Sequence, residues 1–201
     1  MSVGYLRSFI EGVRRKMSNI YFISGPCGCG KSTFANAYAR HLVDHEGRKQ
    51  VYLIHGDDFH QGFVESEDKG AFFVEGQASD LLLWKDILKF NWDCILTVAN
   101  KALLQGLDIV IDYVIEEELP LVRKLAQEHH ANLYYIVLTA SEDAIRERIH
   151  KRGDVEMIDR ALFLKEKLDH LPENQGHLYD NTGKKVEEEI GQLQVEQFLV
   201  L

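Results

Sequence analysis

Cysteine is scarce in this 201-residue chain, with three in all, two of them at Cys27 and Cys29. That is too few and too oddly placed for a disulfide framework, and it fits a reducing compartment. Proline is equally rare at three, while hydrophobic residues make up 45% and charged residues 27% of the chain. Collagen-like, low-complexity and wholly disordered chains are thereby excluded. Basic residues are outnumbered, 23 Lys and Arg against 32 Asp and Glu, for a net charge of -9. Sequence-independent binding to nucleic acid rests on cations neutralising phosphates, so no nucleic-acid partner is expected. Long hydrophobic runs are missing too: residues 81–84 form one of the longest, far below the roughly 20 needed to span a bilayer. The first 18 residues carry Arg7, Arg14, Arg15 and Lys16 but no apolar h-region or small-residue cleavage pattern. They do not read as a secretory signal, and a cytoplasmic location is the expectation.

What is present is enough for one well-cored domain. Leu6, Phe9, Ile10, Val13 and Met17 recur at three- and four-residue steps, predicting an amphipathic helix over residues 1–18 that lies on the domain's own surface. A single domain then runs over residues 19–201. Within it, short apolar runs alternate with longer stretches of helical period, the rhythm of βαβ units. Strands are predicted at 20–24, 51–55, 108–114 and 133–138, each nearly all apolar, as strands covered on both faces must be. A shorter fifth strand is expected near 177–179. Helices are predicted at 31–44, at 80–90 capped by Ser79, and at 94–105 closed by Gly106. Glu116 to Glu118 suit the first turn of a further helix, where acids meet the positive end of its dipole. Ser141 caps a helix over 142–152 that Gly153 stops, a helix over 157–171 ends at Pro172, and a last helix starts near residue 184.

Gly25-Pro26-Cys27-Gly28-Cys29-Gly30-Lys31-Ser32 fits G-x-x-x-x-G-K-[ST], between a predicted strand and a predicted helix. Glycines allow backbone N–H groups to turn inward around a phosphate, and the helix N-terminus adds partial positive charge. Lys31 is a mobile point charge for the β- and γ-phosphates. The Ser32 hydroxyl is a candidate Mg²⁺ ligand, and Thr33 packs or bonds locally.

His55-Gly56-Asp57-Asp58-Phe59-His60 leaves the second strand at the carboxyl edge of the sheet, where open α/β folds bind ligands. Asp57 is the candidate base for an attacking hydroxyl. Asp112 closes the apolar run Ile109-Val110-Ile111 and is the candidate carboxylate beside Mg²⁺. Arg148 and Arg152, four residues apart, fall on one helix face and are candidate cations of a lid at about 146–172, with Gly153-Asp154 as its hinge. Cys27 and Cys29 read as small fillers of variable loop positions, because C-x-C alone lacks the other ligands of a zinc site. The nine His form no metal-binding pattern.

On these motifs the chain resembles compact P-loop phosphotransferases of the nucleoside-monophosphate-kinase-like group. It is most similar there to chloramphenicol-phosphotransferase-like, AAA-type small bacterial kinases. The resemblance covers roughly residues 20–190, through Gly25 to Ser32, Asp57, Asp112 and the run Arg148-Ile149-His150-Lys151-Arg152-Gly153-Asp154. It implies an α/β P-loop NTPase fold: a five-stranded parallel sheet of order 2-3-1-4-5 flanked by helices, with a short helical lid. It also implies ATP with Mg²⁺, Asp57 as base, and Arg148 and Arg152 in the lid. Asp180-Asn181-Thr182 resembles the segment that borders adenine in such kinases, which adds Asn181 to the nucleotide-binding set. The extension at 1–18 and residues 61–77, which match no acceptor signature, depart from the group's pattern. The expected activity is transfer of the γ-phosphoryl of ATP to a hydroxyl of a small molecule. The alternatives are a nucleotide or polynucleotide kinase, which the acidic composition disfavours, and a nucleotide-dependent switch docking a protein partner through residues 1–17.

Overall fold

A computed structural model describes residues 17–63 and 84–201 of the chain. The helix expected at the N-terminus and the Ser79 cap fall outside the described residues. Five strands, β1 (Asn19–Ser24), β2 (Val51–His55), β3 (Asp108–Asp112), β4 (Asn132–Thr139) and β5 (Leu178–Asp180), form one sheet. Its order is β2-β3-β1-β4-β5 and every pairing is parallel. The helices are α1 (Lys31–Asp44), α2 (Asp58–Gln61), α3 (Trp84–Leu104), α4 (Leu119–His129), α5 (Glu142–Arg152), α6 (Ile158–His170) and α7 (Val186–Gln192). The expected α/β architecture and strand order are both realised.

Because successive strand residues face opposite sides, one apolar run feeds two cores. Ile20 and Phe22 of β1 join Ile109, Ile111, Tyr135 and Val137 beneath α3 and α4. Tyr21 and Ile23 join Val110, Tyr134, Ile136 and Leu138 beneath α1. The aromatic partners are specific: Tyr21 stacks on Tyr134 at 4.9 Å and Phe22 on Trp92 at 5.7 Å. The central strands β1 and β3 are buried throughout, whereas the edge strand β2 leaves Tyr52 45% exposed. A third, small cluster of Ala140, Ile145, Ile149, Ile158 and Ala161 fastens α5 to α6.

Three local expectations are corrected. The two helices predicted at 80–90 and 94–105 are one continuous helix, α3. Asn91, Trp92 and Asp93 are only weakly disfavoured in a helix, and tertiary contacts outweigh that: Trp92 stacks in the core, and the buried Asn91 amide donates to Tyr113 Oη at 2.9 Å. The acids before α4 do not occupy its first turn. Glu118 instead folds back so that its Oε2 accepts from the N–H groups of Glu116 and Glu117, both at 2.9 Å. Pro120 then sits in the first turn, where a missing N–H costs nothing. Finally, β3 stops at Asp112 rather than at residue 114, and the Ile115 N–H beyond it bonds Ser24 Oγ at 2.9 Å.

Candidate active site

The loop from Gly25 to Gly30 links β1 to α1 at the carboxyl edge of the sheet. Gly25 has φ 141°, and a Cβ there would stand 2.4 Å from the Leu138 carbonyl oxygen and 2.8 Å from Cys29 Sγ. Gly28 has φ 74°, and its Cβ would stand 2.8 Å from Ile149 of α5. Only glycine meets both demands, a left-handed backbone and close neighbours. Cys29 is wholly buried, and burial pushes its thiol above the usual range. It packs with Phe34 and Leu138 in the core beneath the loop.

Lys31 donates to the Pro26 carbonyl at 3.1 Å, lying across the loop it follows. Burial works against its ammonium, but Cys29, Cys27, Asp57 and Asp112 more than offset this and hold it above its ordinary value. The Ser32 hydroxyl donates to Asp112 Oδ2 at 2.6 Å. This contact bridges 80 residues of sequence, because the parallel register sets Ile23 of β1 beside Asp112 of β3. The two oxygens form a hard donor set, and together with water they suit Mg²⁺. Ser32 and Asp112 are therefore the residues that would hold it.

Gly56 brings the second acid to the same edge. Its N–H donates to the Asp112 carbonyl at 2.9 Å, continuing the β2–β3 pairing by one residue and setting Asp57 at the exit of the sheet. Asp57 is exposed, and its charge reaches both Lys31 and Tyr113. Burial pushes the Tyr113 phenol up to about 12, so it stays neutral, and its oxygen accepts from the Asn91 amide at 2.9 Å.

The two arginines expected in a lid part company. Arg148 turns inward, where Nη1 donates to the Cys29 carbonyl at 3.1 Å and to Asn181 Oδ1 at 3.0 Å, and Nη2 to the Asn181 carbonyl at 3.2 Å. Asn181 completes the clamp through Nδ2, which donates to the same Cys29 carbonyl at 2.7 Å. Arg152, in the last turn of α5, is 65% exposed and pairs with Asp154 at 3.0 Å. Helical spacing put both on one face, but the helix end and the adjoining carboxylate draw Arg152 away. Thr33, exposed on α1, and Asn181 border a cleft of about 310 Å³ beside the loop.

Several site residues escaped the sequence reading. His55 Nδ1 contacts Asp112 Oδ1, and its Nε2 lies 3.2 Å from Asn36 Nδ2, so a histidine at the end of β2 steadies the β3 acid. His60 Nδ1 lies 2.9 Å from Asn91 Nδ2, which ties α2 to α3 beside Tyr113. Arg160 of α6 is close enough for its charge to lower the Tyr113 phenol against the effect of burial. Position in the run 55–60 could have flagged the two histidines; nothing local distinguishes Asn91 or Arg160. Among the described residues no cluster of three or more His, Cys, Asp or Glu could hold a metal by itself.

A glycine loop between the first strand and first helix of a 2-3-1-4-5 parallel sheet is the P-loop NTPase fold in its kinase-type order. The family can be stated more closely: residues 22–170 match the AAA domain family AAA_18, and the chain belongs to it. No protein with a curated description matches the sequence. Among solved structures, the chain is similar to the Mycobacterium tuberculosis APS kinase CysC in complex with AMPPNP and APS. Identity is 17% and the TM-score 0.57, over 88% of this chain and 95% of that one. It is also similar to a gluconokinase from Sinorhizobium meliloti 1021, at 15% identity and TM-score 0.53, over 91% and 93% of the two chains. A Deinococcus radiodurans tunicamycin resistance protein matches at 13% identity and TM-score 0.52, over 87% and 93%. At these identities the shared property is the fold. No helix among the described residues is long and apolar enough to cross a membrane.

Proposed function

We propose that this protein is an ATP-dependent phosphotransferase that moves the γ-phosphoryl group of MgATP to a hydroxyl of a small molecule. The observation that carries the reading is the 2.6 Å contact from Ser32 Oγ to Asp112 Oδ2, beside Lys31 and within charge reach of Asp57. Phosphoryl transfer asks a protein chiefly for positioning and for charge placed where the transition state develops it.

The loop N–H groups and Lys31 hold the phosphates. Ser32 and Asp112 would hold Mg²⁺, which when bound would supply positive charge to offset that of the phosphates. Asp57 accepts the proton of the acceptor hydroxyl as its oxygen bonds to the γ-phosphorus. The bond from that phosphorus to the β,γ-bridging oxygen breaks, and ADP departs with the bonding pair. Arg148 sets the loop through the Cys29 carbonyl and, with Arg152, belongs to the segment that closes over the phosphates. The APS kinase with AMPPNP and the gluconokinase share this fold, which supports a soluble acceptor with a hydroxyl group. The motifs shared with chloramphenicol-phosphotransferase-like kinases support the same class. The acceptor itself would be read beyond α2.

The test is MgATP consumption across nucleosides, sugars, small acids and hydroxylated antibiotics, for wild type and Asp57→Asn. One acceptor should raise turnover by orders of magnitude, and Asp57→Asn should abolish the rise while ATP still binds. If no acceptor stimulates and the basal rate is the same in Asp57→Asn, the reading fails and a partner-driven switch takes its place.

A further inference from the structure

The cleft beside the loop contains a group that the phosphoryl-transfer chemistry does not use. Glu189 of α7 lines it together with Gly30, Thr33, Phe34, Asn181 and Val186. This glutamate is only 4% exposed, and its Oε1 has no hydrogen-bond partner. Buried carboxylates are ordinarily satisfied, so an unpartnered one on the wall of a cleft points to a donor that arrives with a ligand.

Neither nearby cation supplies that donor. The Lys184 ammonium donates to the Asp180 carbonyl at 2.5 Å and sits 4.6 Å over the Tyr179 ring. The Arg148 fork is taken up by the Cys29 carbonyl and by Asn181. Phe34 and Val186 meanwhile offer apolar surface suited to a flat ring.

Resting on the proposed ATP-dependent reading, we infer that Glu189 is the base-selecting residue of this cleft, accepting a hydrogen bond from the 6-amino group of adenine. The phosphates occupy the loop, so the cleft beyond Gly30 and Thr33 is where the other end of the nucleotide comes to rest. The terminal torsion of a glutamate is broad and two-fold, so either oxygen can turn toward the cleft. A carboxylate so deeply set presents one acceptor edge, and a single exocyclic amine matches it. Guanine's paired N1–H and N2–H would ask for both oxygens, and its 6-oxo group would face a negative charge. Glu189 therefore favours 6-aminopurines over 6-oxopurines and over purines bare at position 6.

Equilibrium binding to the full chain with Mg²⁺ and no acceptor tests this with four probes: ATP, GTP, purine riboside triphosphate and 2′-deoxy-ATP. Wild type should bind ATP about tenfold or more tighter than GTP and purine riboside triphosphate, the scale of one charge-assisted bond to a buried acceptor. Glu189→Met keeps length and helix preference but removes the acceptor, and should narrow both ratios to about twofold while leaving ATP against 2′-deoxy-ATP unchanged. Equal binding of ATP and purine riboside triphosphate by wild type overturns the inference without any variant. So does tighter binding of GTP, or an effect of Glu189→Met that falls on the 2′-deoxy ratio instead, which would place the carboxylate at the ribose. Failure of all four probes to bind overturns the ATP-dependent reading as well, so the two failures are distinguishable.

Discussion

Replacing Gly56 by alanine adds a single methyl group at a crowded point of the site, one where the backbone itself is not left-handed. A Cβ there would stand 2.5 and 2.6 Å from two atoms of the Tyr113 ring and 2.8 Å from Ile95 Cδ1. The ring cannot simply retreat. Its hydroxyl accepts from Asn91 at 2.9 Å, and Trp92 packs edge-on against it at 5.6 Å. The backbone of Gly56 is tied in turn to the Asp112 carbonyl at 2.9 Å. Overpacking of this kind costs about 2–3 kcal/mol. For a chain of this size that lowers Tm by about 4–12 °C, read by calorimetry or circular dichroism. Backbone movement at residue 56 also carries Asp57, so acceptor-stimulated turnover should fall more steeply than ATP affinity, which depends on the loop at 25–32. Trimming the obstruction with Ile95→Ala should recover part of the loss in a double-mutant cycle. A Gly56→Ala protein within about 1 °C of wild type, with unchanged turnover, would refute the claim that this close approach positions the acid.

Three further outcomes follow from the same geometry. Arg148→Lys keeps the charge but loses the fork that spans the Cys29 carbonyl and Asn181, so ATP affinity should fall at least about tenfold; titration within twofold of wild type would count against the clamp. Burial holds the His177 imidazole below its ordinary value, so the fold favours the neutral ring. The stability this brings is complete above the unfolded value of about 6.5 and is lost as pH falls through that value toward the lower folded one. His177→Phe should accordingly flatten the Tm profile between about pH 7 and pH 5, and an unaltered profile would exclude this histidine as the cause. Maleimide at neutral pH should label the partly exposed Cys27 and Cys94 of the native protein and spare Cys29, whose thiol is buried and shifted upward; equal labelling of all three would show that the loop opens.

The phosphate loop was legible in the sequence because its demands are local. Positive φ at successive glycines, a lysine and a hydroxyl at fixed offsets, and a strand and helix on either side are all written within a dozen residues. The strands were legible for a related reason: residues covered on both faces must be apolar, as in Ile109-Val110-Ile111, whatever they pack against. The sheet order followed from the resemblance those motifs carried, and the register then brought Asp112 to Ser32 without any further signal.

Tertiary structure alone decided the remainder. Asn91 looked like a break between helices, and only the partners Tyr113 and His60, supplied by other segments, show why it is buried within one. Arg148 and Arg152 are equivalent by helical spacing, and a carbonyl 119 residues away separates one from the other. Glu189 sits in an acidic heptad that reads as a solvated surface, Val186–Gln192, until the packing of that helix on α1 closes water off from its carboxylate. Local chemistry determined where a phosphate can be held. Long-range packing determined which polar groups were left without water, and those unmet groups point to what else the site would bind.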